Sequence, residues 1–292
     1  MASNSTWVMK LTKKSQSAME YLMTYGWAIL IIAIVLVALF QLGIFNANSF
    51  APRAQPGACQ VFKTGASSSL EGECNNMLPQ YVALFNGNIL GYSSITAPNQ
   101  NHISSVTVTA WVYDTNLTYT ANGRGSVVYT GAPGGTSFFI AIFTGGTMEW
   151  LLWTGTWTGA YTTTAINADT WYFLAGTYDG NTISYYINGK YNTGGCCYNA
   201  PLVYSPTKIS IGNTWPYAGE IANIQIYNTS LSANDIAALY NEGIGGTPID
   251  QYNLVDWYPL NGNANDYSGN NNNGAASNVV YVNNWVSSYT AP

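Results

Sequence analysis

The feature that most constrains this chain is an uninterrupted apolar stretch near its N-terminus. Between Tyr21 and Phe40 the sequence contains no charged residue and no proline. Twenty residues in an α-helix rise about 30 Å, which matches the thickness of the hydrocarbon core of a bilayer. We therefore predict a long N-terminal helix that can span a membrane.

The residues before the apolar stretch argue against a simple secretory signal peptide. Such a peptide has an apolar region of about 7–15 residues and then a small-residue cleavage site. Here the apolar stretch is longer and the polar cluster Ser15-Gln16-Ser17 precedes it. Glu20 opens the helix, where an isolated carboxylate costs several kcal/mol in lipid or in a packed core. Glu20 therefore needs a cationic partner.

The sequence Lys13-Lys14-Ser15 followed by Gln16-Ser17-Ala18-Met19-Glu20 resembles the class III-type signal of archaeal type IV prepilins. In that family a short basic leader is cut just before the apolar helix, and the fifth mature residue is a glutamate. The resemblance implies processing at Lys14, Ser15 and Gln16, with the cut after Ser15, where the family more often has Gly or Ala. It also assigns Glu20 to subunit assembly.

Another interpretation of the same residues is a type II single-pass anchor. In that case Lys10, Lys13 and Lys14 only hold the cytoplasmic side, as the positive-inside rule describes.

The domain prediction that follows from the prepilin resemblance is a cleaved leader at 1–15, a filament-core or transmembrane helix at 16–45, a linker at 46–58 and a head at 59–292.

The composition indicates an extracellular, strand-rich head. Only 7% of the residues are charged, and Tyr and Gly are abundant. Without the leader, five Lys or Arg remain against thirteen Asp or Glu, so the chain lacks the basic face that nucleic-acid binding requires. His102 is the only histidine and cannot by itself form a metal cluster or a catalytic triad.

Alternating apolar residues predict a β-sandwich for the head. Val106, Val108, Ala110 and Val112 have the period of two that is expected of one buried sheet face. Similar segments recur from Tyr81 onward, and turn sequences such as those at 179–181 and 188–189 separate them, because Asn, Asp and Gly accept positive φ.

Three segments of the head resemble laminin-G-like or concanavalin A-like jelly rolls. They are TVTAWV at 107–112, WYFLAGTYDGNTISYYINGK at 171–190 and GEIANIQIYNTSLSANDIAALYNEG at 219–243. The last segment implies a strand that leads into a short helix with Ser232 as its N-cap. The resemblance implies the fold but not the function, because one fold hosts many activities.

Residues 253–292 look like the opening strand and loop of the same family, although they stand at the end of the chain. Either a second domain begins here, or the sandwich is circularly permuted and this segment supplies its missing strands. Forty residues without a cysteine cannot hold a core of their own. We therefore predict an all-β jelly-roll sandwich, circularly permuted and preceded by one long hydrophobic α-helix.

The four cysteines allow disulfides in an exported chain. Cys59 and Cys74 enclose a short loop and are the first predicted pair. Cys196 and Cys197 are adjacent and bridge only through a strained turn, so cross-pairing to the first two or free thiols are the alternatives.

Two further kinds of site have sequence candidates in the head. Asn116 and Asn228 begin glycosylation sequons in predicted loops. The jelly-roll resemblance places a structural calcium between the loop of Asp266 and the last long strand, where Ala222 and Asn223 replace the usual acidic residues. The alternative for Asp266 is a turn cap through an Asx hydrogen bond.

Sugar hydrolysis would need two carboxylates across a cleft. Glu149 and Glu220 are the candidates on strands, but each is equally well explained as a solvated position, so we predict that the protein is not an enzyme. Aromatic rings are the alternative means of holding a sugar, and they also fill sandwich cores. The candidate rings are Trp150, Trp153, Trp157, Tyr161 and Trp215.

Together these features predict a structural subunit of an archaeal pilus-like surface filament with a lectin-like, adhesive head. The implied partners are sister subunits, a prepilin peptidase, an assembly ATPase with its membrane platform, the membrane before assembly, and glycans or another cell surface. The alternatives are a membrane-anchored adhesin that does not polymerise and an exported glycan-active enzyme.

Overall fold

The computed structural model describes residues 6–41, 53–56, 60–64, 67–71, 77–88, 94–98, 104–131, 138–196, 198–200, 202 and 208–292. The chain divides into two compact units, Met1–Phe50 and Ala51–Pro292. Each unit is described by itself.

The first unit contains helix α1, Thr6–Gln41. Its segment Met23–Gln41 has a mean hydropathy of 2.5 and is long and apolar enough to cross a membrane, judged by length and composition. Large apolar side chains are exposed around this segment, with Ile31 at 58% and Phe40 at 76%. The predicted apolar helix is confirmed. Its backbone continues through the predicted cleavage position, and residues 42–45 lie outside the described residues.

The second unit is a β-sandwich. In chain order its elements are β1 (Arg53–Ala54), β2 (Gln60–Thr64), β3 (Ser67–Glu71), β4 (Leu78–Pro79), β5 (Val82–Asn86), β6 (Ser94–Pro98), β7 (Val106–Asp114), β8 (Arg124–Thr130), β9 (Phe138–Phe143), β10 (Met148–Trp153), β11 (Trp157–Tyr161), β12 (Trp171–Tyr178), β13 (Ile183–Ile187), β14 (Lys190–Gly195), β15 (Lys208–Ile211), β16 (Ala218–Tyr227), α2 (Ala233–Asn241), β17 (Leu254–Tyr258), β18 (Ala275–Ser277), β19 (Val280–Val282) and a 3₁₀ helix (Trp285–Ser288).

Two antiparallel sheets form the sandwich. The seven-stranded sheet has the order β11-β10-β9-β8-β15-β6-β18. The eight-stranded sheet has the order β14-β13-β12-β7-β16-β5-β19, and β17 also pairs with β16. The predicted jelly-roll sandwich is confirmed. Part of the predicted linker is ordered, because β1 pairs with β4.

The main core lies between the two sheets. The alternating residues Val106, Val108, Ala110 and Val112 of β7 all face it and are fully buried. The residues between them are buried as well, and Trp111 is only 2% exposed. The expectation of one buried face was therefore incomplete for this strand, because its other face is also covered.

A covering layer packs on the outer face of the eight-stranded sheet. It consists of α2, the 3₁₀ helix and neighbouring loops, and it buries a second cluster that includes Trp111, Trp257 and Trp285. Ser232 caps α2 as predicted: its hydroxyl accepts a hydrogen bond from the Asp235 amide, and the Asp235 carboxylate accepts one from the Ser232 amide.

The C-terminal segment belongs to the same sandwich. Strand β17 pairs with β16, β18 pairs with β6 in the seven-stranded sheet, and β19 pairs with β5 in the eight-stranded sheet. The segment thus contributes to both sheets, as circular permutation predicts. The alternative of a separate second domain is wrong.

The turns and cysteines complete the comparison with the sequence. Asn188 and Gly189 both have positive φ, at 50° and 71°, as their predicted hairpin turn requires.

Cys196 is disulfide-bonded. Cys59, Cys74 and Cys197 lie outside the described residues, so the predicted Cys59–Cys74 pairing stays a prediction.

Candidate functional site

The outer face of the seven-stranded sheet is rich in aromatic residues because of the alternation along its strands. In β9, Phe138, Ile140 and Ile142 fill the core, so Phe139 and Phe143 project to the opposite side. The same rule applies to β10, which pairs with β9, and to β11, which pairs with β10.

We call the rings on this side the aromatic face. Its members are Tyr129, Phe139, Phe143, Trp153, Trp157, Tyr161 and Trp215. Neighbouring rings contact one another, with centroid distances of 5.2 Å between Trp153 and Trp157 and 5.3 Å between Phe139 and Trp215. Trp157 and Tyr161 are each 51% exposed. The face thus presents two groups of contacting rings to solvent, one with Trp157 and one with Tyr161.

An ion pair lies among these rings. Arg124 Nη1 is 3.1 Å from Glu149 Oε1, and the Arg124 guanidinium lies 4.6 Å from the centroid of Phe143 and 4.7 Å from that of Trp215. These distances are typical of cation–π contacts. Arg124 begins β8 and Glu149 belongs to β10, so the pair reaches across the intervening strand β9.

The carboxylate of this pair is deeply buried. Glu149 has no exposed surface. Burial raises its pKa to about 7, although the charge of Arg124 acts in the opposite direction. Neither oxygen of Glu149 makes a well-aligned hydrogen bond with a described residue, and the buried Nε of Arg124 and Oγ of Ser126 also lack one. Contact with Arg124 is therefore electrostatic rather than a bidentate hydrogen bond.

The structure separates the five rings that the sequence singled out. Trp150 faces the core, where its Nε1 donates a hydrogen bond to the Thr177 carbonyl. The other four belong to the aromatic face. The sequence analysis missed Tyr129, Phe139 and Phe143, which alternation along β8 and β9 could have found. It also missed Arg124, for which the sequence held no signal.

The two candidate catalytic carboxylates do not face each other. Glu149 projects from the outer face of the seven-stranded sheet. Glu220 belongs to β16 of the other sheet, where its neighbour Ile221 faces the core, so Glu220 projects from the opposite outside surface. Burial raises the pKa of Glu220 to about 7 as well. These two residues cannot act on one glycosidic bond.

The predicted calcium residues already hold the structure together. The Asp266 carboxylate accepts hydrogen bonds from the amides of Trp257, Ser268 and Asn272 and from the Ser268 hydroxyl. Asn223 Oδ1 accepts bonds from the indole of Trp257 and from Gln225. These oxygens have no free lone pairs for a cation, so they do not fit a calcium site.

The calcium site at Asp266 and Asn223 stays a prediction that this geometry disfavours. Across the described ranges there is no group of three or more His, Cys, Asp or Glu side chains that could hold a metal ion.

Asn116 borders a polar cleft at one end of the sandwich. The cleft has a volume of about 250 Å³ and is lined by Asn86, Gly87, Asn116, Thr118, Tyr119, Thr120, Ala121, Pro216 and Ala218. The Asn116 side chain is exposed, and its Oδ1 accepts a hydrogen bond from the Thr118 hydroxyl at 2.9 Å. Asn228 is also exposed, directly after β16. Both sequons are accessible, and glycosylation at Asn116 and Asn228 stays a prediction.

The predicted processing and assembly residues all fall in the backbone of α1. Lys14, Ser15, Gln16 and Glu20 precede the part of the helix whose side chains the structure describes. Their roles in processing and assembly stay predictions.

Two solved structures share the fold of the second unit. One is a protein from Bacteroides ovatus described as carbohydrate-binding, with 16% identity and a TM-score of 0.53; the match covers 74% of this chain and 66% of that chain, just under two thirds. The other is a heptameric SAP-like pentraxin from Limulus polyphemus, with 12% identity and a TM-score of 0.52, covering 70% of this chain and 94% of that chain.

No curated protein matches the chain in sequence. Residues 87–237, just over half of the chain, match the family profile described as concanavalin A-like lectin/glucanases superfamily, of the laminin G type. This span contains β7–β16 and every residue of the aromatic face. The chain therefore belongs to the concanavalin A-like lectin/glucanase superfamily.

Proposed function

We propose that the head binds carbohydrate through the aromatic face. The observation that carries this proposal is the exposure of Trp157 and Tyr161, each in contact with a neighbouring ring, on one outer sheet surface. A large apolar patch exposed to water is costly and usually marks an interaction site. The C–H face of a sugar ring packs well on an aromatic ring, while its hydroxyls stay solvated. The similar fold of the Bacteroides protein supports the same conclusion.

Glycan-array binding by the full chain in detergent tests this proposal. Trp157→Ala combined with Tyr161→Ala removes the two most exposed rings of the aromatic face and should abolish binding. The matched control combines Tyr191→Ala and Tyr252→Ala, because these rings are 61% and 91% exposed but lie outside the aromatic face. Equal binding by both double variants would contradict the proposal.

We also propose that α1 carries this head as a subunit of an archaeal pilus-like filament. Before assembly the helix would lie in the membrane, and in the filament it would pack against the helices of sister subunits. The exposure of its apolar side chains supports this, because they need either lipid or another apolar surface. The sequence from Lys13 to Glu20, with its resemblance to prepilins, distinguishes the filament from a simple anchor.

The first consequence is proteolytic processing. Prepilin peptidase should remove the leader, so the mature chain should begin at Gln16. Intact-mass measurement of material sheared from the cell surface tests this directly. Assembled chains that still contain Lys13 and Lys14 would refute the processing step.

The second consequence concerns the pairing of Glu20. Cleavage creates a free α-amino group four residues earlier, about 6 Å along the helix axis, which an axial offset between subunits can bring to a neighbour's carboxylate. Removing one partner of such a buried pair costs about 3–5 kcal/mol. Glu20→Ala should therefore prevent assembly but leave membrane insertion and cleavage intact.

Electron microscopy of cells shows whether the Glu20→Ala subunit still assembles into filaments. Glu242→Ala, which removes an exposed carboxylate at the end of α2, is the control and should leave filaments unchanged. Normal filaments containing the Glu20→Ala subunit would refute the pairing. A wild-type strain that makes no filaments but retains glycan binding would favour the membrane-anchored adhesin.

A further inference from the structure

The seven-stranded sheet has an unusual charge distribution. Its strands contain only three charged residues, which are Arg124, Glu149 and Lys208. All three project outward. Arg124 and Glu149 lie among the rings of the aromatic face, and Lys208 alternates with Ile209 and Ile211, which face the core. Two positive charges against one negative charge contrast with the whole chain, which has eight basic and thirteen acidic residues. The outer face of this sheet therefore attracts anions more than its surroundings do.

Arg124 is the charged group that a ligand on the aromatic face would meet. Its side chain is 23% exposed, whereas the Glu149 side chain is fully buried. The rings of Phe143 and Trp215 hold the guanidinium at 4.6 Å and 4.7 Å, which limits its freedom before a ligand arrives. Little side-chain entropy would then be lost on binding.

The bonding of Arg124 leaves donors for a ligand. Nη1 faces Glu149, but the pair lacks a well-aligned hydrogen bond. Nε is buried and out of a ligand's reach, so the terminal Nη nitrogens are the donors available to a ligand. A guanidinium has five N–H donors in a planar fork that matches the two oxygens of a carboxylate.

From this juxtaposition we propose that the aromatic face selects acidic glycans, and that Arg124 binds the carboxylate of a uronic-acid-type sugar while neighbouring rings pack on the sugar. This inference rests on the proposed carbohydrate binding and names its ligand class. Neutral sugars would use the rings alone, so the carboxylate adds affinity and specificity.

Calorimetric titration of the full chain with oligogalacturonate and with its methyl ester tests the proposal, because esterification removes the charge but keeps the sugar. The acid should bind about 10- to 100-fold more tightly than the ester, the usual contribution of hydrogen bonds to a charged group. Arg124→Gln should abolish this difference. Arg124→Lys keeps the charge without the planar fork and should restore only part of the difference.

Two controls keep the result interpretable. Lys190→Gln removes an exposed positive charge from the other sheet and should leave the preference intact. Arg124→Gln leaves Glu149 buried without a counter-charge and could unfold the head, so the double variant with Glu149→Gln, which removes both charges, should also lose the preference while it keeps its fold.

The outcomes separate this inference from the proposed function. Equal binding of the acid and the ester, or a preference that survives in the folded double variant, would overturn the inference while the aromatic face remains a glycan site. Binding of neither polymer would also overturn it, and the glycan array with the Trp157 and Tyr161 variants then decides the proposed function independently.

Discussion

Both outer faces of the sandwich carry aromatic residues, but a further layer covers only one of these faces. On the eight-stranded sheet, α2, the 3₁₀ helix and loops bury Trp111, Trp257 and Trp285 to 2% exposure or less of each side chain. On the seven-stranded sheet, Trp157 and Tyr161 remain about half exposed. We call the first the covered face and contrast it with the aromatic face.

This contrast shows what each set of rings contributes. Rings on the covered face lose their contact with water and therefore stabilise the fold. Exposed rings on the aromatic face gain little of this stabilisation, so their presence there is better explained by binding. Substitutions on the two faces should accordingly affect different properties, which the following predictions test.

The largest effect should come from removing the C-terminal part of the covered face. Deleting residues 253–292 removes β17–β19 and the buried side chains of Trp257, Trp285 and Tyr289. Each fully buried apolar side chain contributes about 1.5–3 kcal/mol, and a domain is stable by only about 5–15 kcal/mol. We expect the truncated head to lose cooperative thermal unfolding. An unchanged melting temperature would show that this segment is dispensable.

A matched pair of tryptophan substitutions gives the next largest effect. Trp285→Ala on the covered face should lower the free energy of unfolding by about 3–5 kcal/mol, because it leaves a cavity. Trp157→Ala on the aromatic face should lower it by only about 1–2 kcal/mol, because half of this side chain is already exposed to water. Urea unfolding of the full chain in detergent measures both. Similar losses for both variants would mean that the two faces do not differ.

The sequence predicted the sandwich but not this difference between its faces. Alternation and turn residues identified most strands, and the pairing of residues 253–292 followed from their resemblance to an opening strand. It missed β6, which ends in Pro98, and β11, which contains Gly159, because both residue types weaken strand signals. Whether a second layer covers a sheet face depends on elements far away in the chain. Strand β7 is buried on both faces for this reason, although its alternation predicted only one buried face.

The candidate site was predictable only in part, for a similar reason. Four of its seven rings were named from the sequence, but Trp150 could be excluded only once the register of β10 was known. The Arg124–Glu149 contact joins two strands that are not neighbours in the sheet. Ala141 of β9 pairs with Glu149 and with Ser126, whereas Arg124 pairs with Phe143, so the contact runs diagonally across β9. Local sequence patterns carry no information about such a contact.

The pH dependence of stability tests the buried carboxylate beneath the aromatic face. The pKa of Glu149 is raised from 4.5 to about 7 in the folded chain, so the folded state holds this proton more tightly than the unfolded state. The associated stability is fully present below about pH 4.5 and is lost as the pH rises to about 7, by roughly 1–3 kcal/mol.

Glu149→Gln should remove this part of the pH dependence. Glu220 on the opposite sheet has its pKa raised in the same direction, so the variant with both substitutions should show the flattest profile. Thermal unfolding between pH 4 and pH 8 measures the effect. If the wild-type chain gained stability relative to the Glu149→Gln variant as the pH rises from 4 to 8, the assignment would be contradicted.

The smallest effect concerns the start of α2 in the covering layer. Ser232→Ala removes the N-cap hydroxyl that accepts the Asp235 amide, and it should destabilise the head by about 1 kcal/mol. Thr156→Ala, which removes an exposed hydroxyl from the turn between β10 and β11, is the control and should have no measurable effect. Equal urea midpoints for the two variants would show that the cap does not support the covering layer.

The most direct test of the central claim is hydroxyl-radical footprinting of the full chain, read by mass spectrometry, with and without a bound glycan. Without glycan, Trp157 and Tyr161 should be oxidised readily while Trp257 and Trp285 are protected. Addition of a glycan identified on the array should lower oxidation of Trp157 and Tyr161 and leave the covered-face tryptophans unchanged. Unaltered oxidation of Trp157 and Tyr161 at saturating glycan would contradict the assignment of the aromatic face as the binding surface.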